Sequence, residues 1–257
     1  MKTALRFLSV LLRNPVEAAD RLRNKLAHLD GRVGTHPRKP YIDEPAWEER
    51  LHAALGAGWP CHCSEQADEV LSQLRRECPP VASGSGHRHD ADSRLARAVW
   101  ATAVHVRPAR VIETGVARGI VSRVVLEAME HNGTGQLWSI DLPPLHDPWW
   151  RESRAAVPRR LYSRWNYIRQ DVKRALPKIA SRGVGVDLFI HDSLHTAEHM
   201  SFEFRHAARL LRSAGVLIAD DIQSNDAFAA LPGTEWTQRF SVHHEEKDGF
   251  FGVAIRA

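Results

Sequence analysis

The stretch VIETGVARGI, residues 111–120, decides the fold. VIET reads as a short apolar strand. Gly115 ends it, and Gly119 opens the helical run GIVSRVVLEAMEHNG. Gly115 lets the backbone turn tightly, and Gly119 lets the helix come close to the sheet or to whatever the turn holds. The turn is not a dinucleotide fingerprint. G-x-G-x-x-G needs a second glycine for close approach to a pyrophosphate, and Ala117 stands there instead. Glu113, just before the turn, repels a pyrophosphate and attracts a cation.

Upstream, SRLARAVWATAVHV puts Leu95, Val99, Thr102 and Val106 on one helical face, with Asp92 or Ser93 as N-cap and Pro108 as its stop. Downstream, Val121, Val124, Val125 and Ala128 face inward on a helix that ends at Asn132 and Gly133. QLWSID, WNYIRQD, VDLFIHD and VLIADDI are four further strands, and VKRALPKI and AEHMSFEFRHAARLLRSAG are intervening helices. QRFSV and GFFGVAIR, joined by HHEEKDG, are too close for a crossover and form a hairpin. The expected fold is therefore α/β: a doubly wound, Rossmann-like sheet, mostly parallel with an antiparallel C-terminal strand. An N-terminal helical extension covers residues 1–85, the polar VASGSGHRHD serves as a hinge, and the main domain covers 90–257.

Composition excludes several classes. The 257 residues are 43% hydrophobic and 26% charged, with a net charge of +4, as in ordinary globular proteins. Basic residues lean to the front, where Lys2, Arg6, Arg13, Arg21, Arg23 and Lys25 meet only Glu17 and Asp20. No basic stripe interleaves with aromatics, so a nucleic-acid partner is not expected. The three cysteines do not make a disulfide framework. CHC at 61–63 has neither the usual zinc spacing nor a second ligand pair downstream, so these read as reduced thiols. MKTALRFLSVLL is interrupted by Arg6 and no small-residue cleavage site follows before Arg13, so a signal peptide is not expected. It reads as a helix packed on the main domain or lying on a membrane surface, and the expected setting is cytoplasmic.

Asp141 closes the second strand 22 residues beyond Gly119, where a carboxylate can accept both hydroxyls of a ribose. Asp171 closes the third. With these residues in place, the chain from about residue 92 onward resembles the class I S-adenosylmethionine-dependent methyltransferases. The resemblance implies that Glu113, Thr114, Gly115 and Gly119 line the methionine end of S-adenosylmethionine, that Asp141 holds its ribose, and that Asp171 contacts its adenine.

Asp192 ends the fourth strand, His195 follows, and Asp220 and Asp221 end the fifth. Neighbouring strands lie ~4.8 Å apart, so these groups converge at the rim of the sheet. Like charges there call for a proton or a cation, and an all-oxygen set favours magnesium. A metal-bound hydroxyl is easier to deprotonate than a free one. The arrangement is similar to the macrocin-type metal-dependent O-methyltransferases. That implies a metal set of Asp192, Asp220 and Asp221, with Asp192 or His195 as base. Leu194 and Ala197 stand where relatives often carry Asp and Tyr. Without a metal, one Asp of the pair caps the next helix and His195 bonds a carboxylate structurally.

The long connection at 142–165 reads as a lid or as a surface helix. As a lid, Trp149 and Trp150 cover the site, and Arg151, Arg154, Arg159 and Arg160 meet an acidic acceptor. The expected activity is O-methylation of a small molecule or glycan precursor, with S-adenosylmethionine and magnesium as cofactors. The alternative is a catalytically inactive binding protein acting through its N-terminal helices. An oxidoreductase on a nucleotide cofactor is disfavoured by Glu113 and the missing glycine. Peripheral membrane contact through the first helix and self-association are the remaining partner expectations.

Overall fold

The computed structural model describes residues 2–31, 40–79, 91–146 and 149–257. The expected hinge at 81–90, with His87 and His89, lies outside the described residues, as does most of the glycine-containing loop at 31–40.

Seven strands form one sheet: β1 Arg110–Thr114, β2 Gln136–Asp141, β3 Trp165–Arg169, β4 Val186–His191, β5 Leu211–Ala219, β6 Trp236–His243 and β7 Phe250–Arg256. Their order is β3-β2-β1-β4-β5-β7-β6. β1 to β5 run parallel, and β7 is antiparallel to both neighbours, β5 and β6. The chain reverses direction across the sheet between β3 and β4, on either side of β1. That is the switch point where open α/β sheets bind ligands.

Nine helices accompany the sheet among the described residues: α1 Lys2–Arg13, α2 Pro15–Gly31, α3 Trp47–Ala54, α4 Cys63–Glu77, α5 Ser93–Val106, α6 Ile120–Asn132, α7 Trp149–Glu152, α8 Val172–Ala180 and α9 Ala197–Leu210. Their starts follow side-chain chemistry. Asp92 accepts from the Arg94 N–H to cap α5, Asp171 from the Lys173 N–H to cap α8, and Thr196 from the His199 N–H to cap α9. Pro15 takes the first position of α2, where its missing N–H costs nothing.

Two apolar clusters sandwich the sheet. On one face Leu95, Val99, Val124 and Met129 pack on Val111, Leu188 and Val216, and α3 and α4 extend this cluster through Leu51, Leu71 and Leu74. On the other, Leu176, Met200 and Phe204 pack on Ile112, Phe189 and Leu217. α1 and α2 instead leave Leu5, Leu8, Leu12, Leu22 and Leu26 exposed. No helix among the described residues is long and apolar enough to cross a membrane.

The boundary between α9 and β5 differs from expectation. The helical periodicity of AEHMSFEFRHAARLLRSAG runs on to Gly215, but α9 stops at Leu210 and the chain enters β5 directly. Leu211 turns extended and pairs with Val186, and the register shifts before Leu188 meets Val216. Ala214 absorbs that bulge at φ 61°.

Candidate active site

The glycine turn sits at the switch point. The Gly115 N–H donates to Ile140 O at 2.9 Å, and the Asp192 N–H donates to Thr114 O at 2.9 Å, so the ends of β1, β2 and β4 are tied together. Gly115 has φ 81°, and a Cβ there would lie 1.9 Å from the Asp192 carbonyl oxygen. No side chain fits that approach. At Gly119, φ 86°, a Cβ would stand 3.0 Å from a Val157 methyl, so the start of α6 packs closely under the 142–165 connection.

A cleft of about 330 Å³ opens above this turn. Gly115, Asp141, Asp171, Asp192 and Leu194 line it, together with Asn24 from α2. This is within the size range of small-ligand sites. A larger groove of about 470 Å³ near the strands' amino ends contains none of the expected site residues.

Glu113 and Thr114 lie behind the cleft rather than in its wall. Glu113 accepts from Ser122 Oγ at 2.6 Å and from Ser139 Oγ. Burial pushes its carboxyl up to about 7; the two serines oppose this and Asp141 adds to it. Thr114 Oγ1 donates to Glu203. Asp141 does face the cleft. Burial raises it to about 6, against hydrogen bonds from the Val116 N–H and the Tyr167 hydroxyl. Asp171 lines the cleft too, but its carboxylate already accepts from the Lys173 N–H at 2.9 Å and Asn24 Nδ2 at 2.8 Å.

Beside the cleft, past the ends of β4 and β5, the expected acids converge. His195 Nδ1 lies 3.3 Å from Asp221 Oδ2, and its Nε2 lies 3.8 Å from Asp192 Oδ1. Burial holds the imidazole down to about 4, with Asp221 working against it, so His195 is neutral at pH 7. Burial and then Asp220 push Asp192 well above the usual carboxylate range.

The expected ion meets an obstacle here. Lys247 Nζ stands 2.8 Å from Asp220 Oδ2 and 3.0 Å from Asp221 Oδ1. His244 Nε2 lies 2.9 Å from Asp220 Oδ1 on the other side. Burial works to raise Asp220, but His244 and Lys247 outweigh it and hold the group well below its ordinary value. Two carboxylates and an imidazole, Asp220, Asp221 and His244, bring one ligand atom each within 4.8 Å of one another, and Asp192 is not part of that group. Among the described residues an ammonium, Lys247 Nζ, is thus seated between the two acids that the resemblance assigned to the ion.

Sequence reading missed both Lys247 and His244, which sit in the polar β6–β7 turn. It also missed a buried network under Asp192. Glu203, fully buried, accepts from Thr114 Oγ1 at 2.5 Å, His191 Nδ1 at 2.7 Å and Ser193 Oγ at 2.5 Å, and His199 Nε2 lies 2.8 Å away. Burial alone would raise Glu203, yet His191 and His199 hold it far below the carboxylate range. The i,i+4 spacing of His199 and Glu203 was the available signal, since it sets both on one face of α9.

The N-terminal helices roof the cleft through polar contacts. Arg6 donates to Leu145 O at 2.9 Å and Arg21 to Pro143 O at 2.8 Å, while Arg174 meets Asp20 at 2.6 Å. Trp150 lies beneath the Arg6 and Arg169 guanidiniums. Of the arginines expected to meet an acceptor, Arg154 covers the Tyr167 ring and Arg160 pairs with Glu127.

Residues 112–222 match the profile of a family described as "Methyltransferase domain". No curated protein matches the chain in sequence. Among solved structures, a putative O-methyltransferase from Klebsiella pneumoniae is similar at TM-score 0.54 and 18% identity, over 82% of this chain and 96% of that one. The O-methyltransferase TomG from Streptomyces achromogenes, solved with S-adenosylmethionine, gives TM-score 0.54 and 12% identity over 77% and 90%. An O-methyltransferase from Bacillus cereus, solved with S-adenosylhomocysteine, gives 0.54 and 14% over 82% and 97%. At these identities the likeness is one of fold, and it is the class I methyltransferase fold that the strand order describes. Residues 112–222 thus match a methyltransferase-domain model, within a chain that shares the fold of these O-methyltransferase structures.

Proposed function

We propose that the protein transfers a methyl group from S-adenosylmethionine to a hydroxyl of a small molecule. The observation that carries the reading is the single cleft in which the Gly115 turn and Asp141 meet Asp192, beside His195. Asp141 accepts the ribose hydroxyls, and the glycine turn leaves room for the methionine arm. Glu113 supports the turn from behind.

Transfer is an in-line attack of the acceptor oxygen on the sulfonium methyl, so holding the two in line supplies much of the acceleration. Neutral His195 takes the acceptor proton as the new C–O bond forms. Asp221, 3.3 Å from Nδ1, orients the ring and stabilises the imidazolium. Lys247 neutralises the acidic pair that the resemblance assigned to magnesium. A neutral imidazole suits an acidic hydroxyl, such as a phenol with pKa ~10, better than a sugar hydroxyl. This favours a phenol-like acceptor over the glycan precursor.

The test is methyl transfer from labelled S-adenosylmethionine to a panel of phenols and sugars, with Asp221→Asn as control. Label in a phenol that falls sharply in the variant supports the reading. Cofactor binding with no transfer to any acceptor points instead to the inactive binding protein. The three free thiols go with a reducing, cytoplasmic compartment.

A second reading concerns α1, which has no acidic residue in its sequence KTALRFLSVLLR and exposes Leu5, Leu8 and Leu12 beside Lys2 and Arg13. These features match an anionic membrane surface. Co-sedimentation with phosphatidylglycerol vesicles, lost in Leu8→Glu/Leu12→Glu, supports it. Self-association without vesicle binding overturns it.

A further inference from the structure

Away from the cleft, two thiols and two imidazoles meet where the N-terminal helices join the sheet domain. His52 comes from α3, Cys61 from the following loop, Cys63 from the first residue of α4, and His105 from the last turn of α5. One ligand atom from each lies within 4.8 Å of all the others. His52 Nε2 is 2.8 Å from Cys61 Sγ, and His105 Nε2 is 3.3 Å from Cys63 Sγ and 3.7 Å from Cys61 Sγ. A tetrahedral zinc ion with Zn–N of ~2.0 Å and Zn–S of ~2.3 Å sets its nitrogen and sulfur ligands about 3.6 Å apart. The observed separations bracket that value.

The surroundings suit a metal as well. His52 Nδ1 meets the Glu48 carbonyl oxygen at 2.6 Å, which places the ring proton on Nδ1 and leaves the Nε2 lone pair facing the sulfurs. The Cys63 N–H donates to Cys61 Sγ at 3.2 Å, which holds the two sulfur-bearing residues in one tight turn. His52 is 1% exposed and Cys63 4%, so water does not satisfy these atoms. Thiols are weak donors and poor partners for buried imidazoles.

We propose that His52, Cys61, Cys63 and His105 bind one zinc ion that fastens α3 and α4 onto α5. Four protein ligands close the coordination sphere, so the site is structural rather than catalytic. α5 ends just before β1 begins, so His105 lies toward the amino end of the sheet and the ion stays away from the cleft. The sequence hides the site because its two cysteines are two positions apart and its histidines flank them, 9 residues upstream and 42 downstream.

The test is elemental analysis of the full-length protein purified without chelator, followed by cobalt titration of chelator-treated protein. About one equivalent of zinc per chain is expected. Cobalt should give intense tetrahedral visible bands and a thiolate charge-transfer band, both abolished by stoichiometric zinc. Zinc should also shield Cys61 and Cys63 from thiol reagents. In His105→Ala and in Cys61→Ser/Cys63→Ser the zinc equivalent should be lost. Absence of zinc in the wild-type protein, together with no tetrahedral cobalt spectrum, overturns the proposal even if the variants fail to fold.

Discussion

Gly115 occupies a backbone position that no side chain can share. Its φ of 81° is one obstacle, and the Asp192 carbonyl oxygen 1.9 Å from any Cβ is a larger one. Gly115→Ala therefore forces β1 and β4 apart at the cleft floor. It should cost about 3 kcal/mol or more, measured by denaturant unfolding, and should abolish cofactor binding. This residue was legible in the sequence, as were Asp141 and Asp192, because each closes an apolar strand. Lys247 was not. It stands in HHEEKDG, a run that reads as a solvated turn, and only the folded chain shows its ammonium between Asp220 and Asp221. Lys247→Met leaves the buried Asp220 and its neighbour without their cation and should destabilise by about 3 kcal/mol. Magnesium should raise the melting temperature of that variant and leave the wild type unchanged. A wild type stabilised by magnesium would contradict the assignment of Lys247 as the resident cation.

The β6–β7 turn is the element that joins these groups to the N-terminus of α5. Asp92 caps α5 with one oxygen and accepts the Glu245 and Glu246 N–H groups with the other, and His244 sits between Asp92 and Asp220. Burial disfavours charge on His244, but Asp220 and Asp92 outweigh it and raise the imidazole above its ordinary value, with Lys247 opposing. A group raised on folding stabilises fully below its unfolded pKa of about 6.5, and that contribution is lost as pH rises through the folded value. Asp92 and Asp220 are depressed, so their contribution is present above about pH 4 and lost on further acidification. Urea unfolding of the wild type should weaken above pH 6.5, and in His244→Gln that slope should flatten. An unchanged slope would show that His244 does not carry the effect. α9 shows where element boundaries resist reading. Its apolar period persists past Leu210, while strand pairing of Leu211 with Val186 ends the helix. Local pattern yields to a tertiary partner the sequence does not name.

Across the molecule, alternating strands and helices and the closing hairpin made the α/β sheet legible, and the antiparallel β7 followed from the short β6–β7 connection. The placement of the N-terminal helices was not legible, because it depends on partners far along the chain. Asn24 reaches Asp171, Arg21 reaches Pro143, and α3 and α4 join the core cluster of α5 and α6. Roof, glycine turn and catalytic end thus enclose one site with separable roles. In the proposed function Asp141 serves the cofactor, and Asp221 serves proton transfer through His195. The most direct test is calorimetric titration of S-adenosylmethionine and S-adenosylhomocysteine into the wild type, Asp141→Ala and Asp221→Ala, with turnover measured on the same samples. The account predicts micromolar binding to the wild type, roughly tenfold or weaker binding to Asp141→Ala, and wild-type binding with lost turnover in Asp221→Ala. Folded wild-type protein that binds neither nucleoside, or equal loss of affinity in both variants, would contradict it.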